Sequence, residues 1–221
     1  MAFPVGTLAI GIEYATQASL ILKKLSDYGY ITYVMTDFPS LFDSSINIVP
    51  YEDDGTQIWQ QKRIVIKNIL EEEQQVVFID ADYGVLSDID NVNLDFLEGL
   101  STSRLYSIES NTTKRSESLI PVMEGLKDVL KINNWKKAKW VAPNLFCLKK
   151  DREGKYMDFL GAWDKVALFL KENNYKIDDG ISIGLAAHSI GWVPQKISFG
   201  YFGKMLDHKH FGTWETDGTM T

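Results

Sequence analysis

Apolar positions along the chain recur in two periods, and the periods alternate in a way that predicts strands and helices in turn. Thr7-Leu-Ala-Ile-Gly-Ile12 is a short apolar run, too short for a buried helix and suited to a central strand. From about Thr16 to Tyr28, the residues Ala18, Leu22 and Leu25 recur at helical spacing with Ile21 alongside, and Gly29 is a stop. Ile31-Thr-Tyr-Val-Met-Thr36 is a second strand, rich in β-branched and aromatic residues and ending at Asp37. These segments make a β-α-β opening. Ile46–Val49 is a further short strand, and Gln57–Glu73 is helical, with Ile58, Ile64, Val65, Ile69 and Leu70 on one broad face. Val76-Val-Phe-Ile79 is apolar at each position, so it is covered on both faces and central.

The pattern weakens between Asn91 and Lys139. There Leu105–Ile108 reads as a strand, Ser110–Ser118 as a polar loop, and Leu119–Asn134 as holding a helix that starts at or after Pro121. Asn144–Leu148 is a strand by its apolar content, and the turn-rich Lys149–Gly154 follows it. Tyr156–Asn173 is an amphipathic helix, Gly180–His188 another, and Gln195–Phe199 a last strand. Strands alternating with helices predict a single Rossmann-like α/β domain over residues 1–221, with a mostly parallel central sheet flanked by helices. No internal repeat, low-complexity tract or linker interrupts it.

Composition narrows the function classes. The formal net charge of −7 argues against a protein held to nucleic acid by phosphate contacts, which needs a basic face. A small phosphorylated ligand stays open, because a bound cation neutralises phosphates locally. Cys147 is the only cysteine, so no disulfide closes within the chain, and its apolar surroundings read as those of a small buried hydrophobe. A reducing compartment fits. No run of 18 apolar residues occurs, and Met1–Thr7 lacks the basic residues and apolar core of a signal peptide. The expectation is a soluble cytoplasmic protein with no membrane span.

The chemistry-bearing segment is Val76-Val-Phe-Ile-Asp-Ala-Asp-Tyr-Gly-Val-Leu86. In open α/β sheets, ligands bind beyond the carboxyl ends of the strands, where Asp80 and Asp82 stand. Residues two apart on an extended chain project to one side, so the two carboxylates converge, and they repel unless a cation joins them. Hard oxygen donors suit Mn²⁺ or Mg²⁺, which bridges the phosphates of a nucleotide. The plainer alternative is that both aspartates end the strand and begin a turn at Gly84.

This segment resembles the DxD motif of glycosyltransferases of the GT-A fold, where Asp-x-Asp follows a core strand. It is also similar to the first motif of haloacid-dehalogenase-type phosphohydrolases, which would make Asp80 a nucleophile and Asp82 a general acid. Position favours the transferase. The hydrolase motif lies on the first strand, whereas here a β-α-β unit precedes it, and Tyr83-Gly84-Val85 departs from the hydrolase Gly-Thr. The transferase resemblance spans roughly Thr7 to Trp214, with DxD as its specific motif; in compactness and the lack of a membrane anchor the chain is similar to the small soluble enzymes of large algal viruses and bacteria. A viral source would place the protein in host cytoplasm.

The resemblance implies a UDP-sugar donor, a glycan acceptor and a Mn²⁺ or Mg²⁺ cofactor held by Asp80 and Asp82. A late histidine completes the metal sphere in similar enzymes, which brings in His208 or His210 of Asp207-His-Lys-His-Phe-Gly-Thr-Trp214, although the spacing to Gly212 departs from the family's His-x-x-Gly. Base and ribose would lie at Gly11, Ile12, Glu13 and Tyr14 and at Asp37. A basic residue, Lys62 or Arg63, would reach the diphosphate, with Lys204 as a rival. Asp179 or Asp178, before the late helix, would face the sugar or take a proton; an aspartate there is also a good N-cap. Trp140, Trp192 and Trp214 are core residues or sugar platforms, and His188 is structural. The absence of G-x-G-x-x-G argues against a dinucleotide-binding dehydrogenase. A non-catalytic nucleotide- or glycan-binding domain is the remaining alternative.

Overall fold

Alternation of side chains along the strands becomes two separate cores, one on each face of a sheet. The computed structural model describes residues 3–85, 96–110, 119–199 and 206–208. Its strands are β1 (Val5–Ala9), β2 (Thr32–Thr36), β3 (Asn47–Val49), β4 (Gln75–Ile79), β5 (Tyr83–Val85), β6 (Gly99–Thr102), β7 (Leu105–Ser107), β8 (Lys139–Val141), β9 (Leu145–Lys149), β10 (Gln195–Lys196) and β11 (Leu206–His208). Its helices are α1 (Ile12–Asp27), α2 (Lys62–Glu72), α3 (Leu119–Leu130), α4 (Lys155–Glu172) and α5 (Asp179–Ser189). Seven strands join in the order β10-β6-β9-β4-β1-β2-β3, while β5 pairs with β11 and β7 with β8.

The sheet is mostly parallel, as the alternation of strands and helices predicts: β1 with β2 and β4, β2 with β3, and β6 with β10. The departure is β9, which runs antiparallel between β4 and β6. On β4, Val76 and Phe78 face one core while Val77 and Ile79 face the other. On β9, Phe146 and Leu148 share the first core, and Leu145 and Cys147 the second. Helices α2, α3, α4 and α5 cover the first face with residues such as Ile69, Leu126, Trp163 and Ile183. Helix α1 covers the second with Ala18, Ile21, Leu22 and Leu25. Such double burial is why β1, β2 and β4 read as continuous apolar runs.

Several boundaries move for local reasons. β1 stops at Ala9 rather than reaching Ile12, because Gly11 turns the chain at φ +91° and α1 begins at once. The helix expected over Gln57–Glu73 is a 3₁₀ turn at Ile58–Gln61 followed by α2. No helix among the described residues is long and apolar enough to cross a membrane.

Two features aim the strand ends at one place. The chain runs outward from β1 to β2 and β3, then returns through α2 to β4 on the other side of β1, so the strand order reverses between β1 and β4. A crevice forms at the carboxyl ends at such a point. The middle of α5 is pressed onto β8: a Cβ added to Gly184 would lie 1.8 Å from the Lys139 carbonyl oxygen. Gly184→Ala therefore has to push helix from strand, and a loss of at least about 2 kcal/mol in urea unfolding is expected. A change under about 0.5 kcal/mol contradicts this packing.

Candidate functional site

The buried strand β4 delivers Asp80 to the sheet edge at its carboxyl end. The Asp80 backbone N–H donates to the Asn144 carbonyl at 3.1 Å, and Tyr83 N–H returns to the Asp80 carbonyl at 3.3 Å, which closes the Asp-x-Asp turn. On the neighbouring strand, the Thr7 hydroxyl donates to the Ile79 carbonyl at 2.8 Å, locking β1 to the end of β4. The β1 end is fixed to β2 in turn, because the Asp37 carboxylate accepts the Gly11 N–H at 2.9 Å.

Lys62, the first residue of α2, reaches the Asp80 carboxylate. Its ammonium nitrogen lies 2.6 Å from Asp80 Oδ1 and 2.8 Å from Asp179 Oδ2, and donates to the Pro143 carbonyl at 3.2 Å. Three N–H donors thus meet three oxygens. The Lys62 side chain is 8% exposed, against 24% for Asp80 and 12% for Asp179, and the ammonium stands 5.3 Å above the centre of the Phe78 ring. Burial pulls the ammonium down, but the carboxylates of Asp179 and Asp80 overcome it and hold Lys62 well above the usual lysine range. The Asp179 carboxyl is pushed up by burial; Lys62 pulls against this, while the negative charges of Asp80 and Asp178 add to it.

The paired aspartates at the start of α5 have separate tasks. Asp178 is the N-cap, accepting the Gly180 N–H at 2.8 Å and the Trp140 indole N–H at 2.8 Å. Asp179 turns its Oδ2 to Lys62. The 3₁₀ turn before Lys62 is anchored by Gln60, which donates to the Ser182 hydroxyl and accepts from the Trp163 indole, both at 2.8 Å and both buried.

Arg63 does not join this group. Successive helix positions are about 100° apart, so Arg63 faces elsewhere, pairing with Asp54 and, through Nε at 2.5 Å, with Asp164. Gly11, Ile12, Glu13 and Tyr14 stand where β1 gives way to α1, with Ile12 and Tyr14 exposed. Burial, then the negative charges of Asp82 and Asp80, push the Tyr14 phenol up. Burial and the same two aspartates push up the Tyr83 phenol. His208 lies on β11, whose backbone pairs antiparallel with β5 so that His208 is opposite Tyr83, the residue after Asp82. Lys204, His210 and Trp214 lie outside the described residues. Trp192 packs on Phe159, with ring centroids 5.6 Å apart.

Beside Asp80 opens a cavity of about 550 Å³, lined by Lys62, Asp80, Asp178 and Asp179 together with Trp59, Ile177 and Ile181. That volume falls within the roughly 300–1,000 Å³ of small-molecule sites. Trp59 is a lining residue that the sequence reading passed over, although it precedes Lys62 by one turn. Asp80 and Asp82 offer oxygen donors of the kind that hold Mn²⁺ or Mg²⁺. Among the described residues, no group of three His, Cys, Asp or Glu side chains could hold a metal. Compared with family models and with curated proteins, the chain gives no significant match to either.

Lys62→Met leaves Asp80 and Asp179 without their shared cation. A loss of about 3–5 kcal/mol at pH 7.5 is expected. Asp179 already holds its proton more tightly when folded than when unfolded, and loss of Lys62 raises that affinity further. The folded variant then binds more protons than the unfolded chain, so its stability increases as pH falls. Urea unfolding at pH 7.5 and pH 5 tests this: the variant's deficit shrinks at pH 5, and an equal deficit at both pH values contradicts it.

Proposed function

We propose that the chain is a metal-dependent glycosyltransferase of the GT-A type, moving a sugar from a UDP-sugar to a hydroxyl of a glycan acceptor. The observation that carries this reading is the meeting of Asp80, Lys62 and Asp179 on one cavity at the strand-order reversal, beside an Asp-x-Asp that ends the central strand. No dinucleotide loop is present to compete with it.

In this reading the nucleoside occupies the β1 and β2 ends, near Gly11 to Tyr14 and Asp37. Asp80 and Asp82, with His208 on the strand opposite, would hold Mn²⁺ or Mg²⁺, which when bound supplies positive charge against the leaving diphosphate. Lys62 adds a fixed ammonium next to the same phosphates, already oriented by Asp179 and the Pro143 carbonyl. Asp179 accepts a hydroxyl proton of the donor sugar or of the acceptor, and its raised proton affinity makes it a stronger base than an exposed aspartate. Asp178 acts through position: its cap and its bond from Trp140 set the start of α5.

Calorimetric titration of UDP tests the site. Binding is expected with Mn²⁺ or Mg²⁺, lost in chelator, and weakened by about 100-fold or more in Asp82→Ala. Absence of UDP binding under every condition defeats the proposal. Phosphate release from phenyl phosphate would then support the hydrolase alternative, with Asp80 as nucleophile.

A further inference from the structure

The cavity beside Asp80 has a lining of two kinds. Lys62, Lys176, Asp80, Asp178 and Asp179 give its lining charge, while Trp59, Leu119, Ile177 and Ile181 give it apolar surface. Gly11, Ile12, Glu13, Tyr14 and Asp37 do not line it, so it is separate from the strand ends assigned to the nucleoside.

Trp59 gives this surface its character. It is 38% exposed, and its indole N–H donates to the Ile177 carbonyl at 3.2 Å. An indole has one donor and no acceptor, so with that donor used the open part of the ring offers only its hydrocarbon face. The same bond fixes the ring's orientation. Carboxylates line the same cavity, and they accept hydrogen bonds and donate none when ionised. A ligand that suits both carries C–H groups on one face and hydroxyl donors along its edge. A pyranose ring has that form, and a neutral one suits a lining in which three carboxylates and two ammonium groups nearly balance.

We propose that this cavity is the subsite for a pyranose of the acceptor glycan, with Trp59 as its stacking platform and the carboxylates of Asp178 and Asp179 facing its hydroxyls. Its role as acceptor subsite rests on the transferase reading; its affinity for a sugar does not. The transferred sugar lies at the Lys62–Asp179 end, and the acceptor ring is held on the Trp59 side of the same space.

Saturation-transfer NMR with the methyl pyranosides of glucose, galactose and mannose, and with maltose and lactose, tests the subsite. UDP titration with Mn²⁺ runs on the same samples. At least one glycoside is expected to bind the wild type, with transfer strongest at the C–H groups of one ring face. Trp59→Phe keeps that binding, while Trp59→Ala weakens it roughly tenfold and leaves UDP affinity unchanged. If Trp59→Ala does not fold, Trp59→Leu, which keeps bulk and removes the ring, is expected to show the same loss. Glycoside binding that is unchanged in the folded ring-less variant overturns the proposal. UDP binding without glycoside binding overturns it too and leaves the transferase site standing. Glycoside binding that depends on Trp59, in a protein that does not bind UDP, keeps the subsite and rejects the transferase.

Discussion

One ammonium group, that of Lys62, joins the parts of the molecule that carry its chemistry. It connects the start of α2, the end of β4 at Asp80, the Pro143 carbonyl before β9 and the start of α5 at Asp179. A buried cation is costly to take from water, and two half-buried carboxylates repel each other when left without it. Each lowers the cost of the others only while all three hold their places. Nitrogen-to-oxygen distances of 2.6 and 2.8 Å and a third bond to a carbonyl give lysine's three donors full use. The planar five-donor fork of arginine does not match that arrangement.

Around this centre the acidic residues divide their work by backbone position. Asp37 closes the β1–β2 end by accepting from Gly11, and Asp178 caps α5 while holding the Trp140 indole. Asp80 and Asp179 are left to share Lys62. Helix α1 packs on β5, which follows the Asp-x-Asp turn, and Asp80 lines the cavity walled by Trp59 and Ile177.

Much of the frame was legible because burial on both faces leaves its mark on composition. Val76–Ile79 reads as central from its unbroken apolar run, and β1, β2 and the helices between them follow from the change of period. Direction leaves no such mark: Leu145–Lys149 reads as a strand, yet nothing in it distinguishes antiparallel from parallel. β6 escaped notice because Ser101 and Thr102 are buried but polar, and the three-residue β8 is too short for a period to show. At the cavity, Asp80 and the pair Asp178–Asp179 stood out from their places in the pattern. Lys62 could not be told from Arg63, since the phase of α2 against β4 is a tertiary property. Trp59 was invisible for the same reason: a tryptophan becomes a wall only once the segment holding Ile177 folds opposite it.

The most direct measurement of the central claim is UDP release from UDP-glucose, UDP-galactose and UDP-N-acetylglucosamine with Mn²⁺, comparing the wild type with Asp179→Asn. The amide keeps the shape of the carboxylate but removes its charge and its capacity to take a proton. The account predicts that the wild type consumes at least one donor, that Asp179→Asn is slower by about 100-fold or more, and that both bind UDP alike. Equal rates in the two proteins, or wild-type binding of UDP with no turnover of any UDP-sugar, would contradict it.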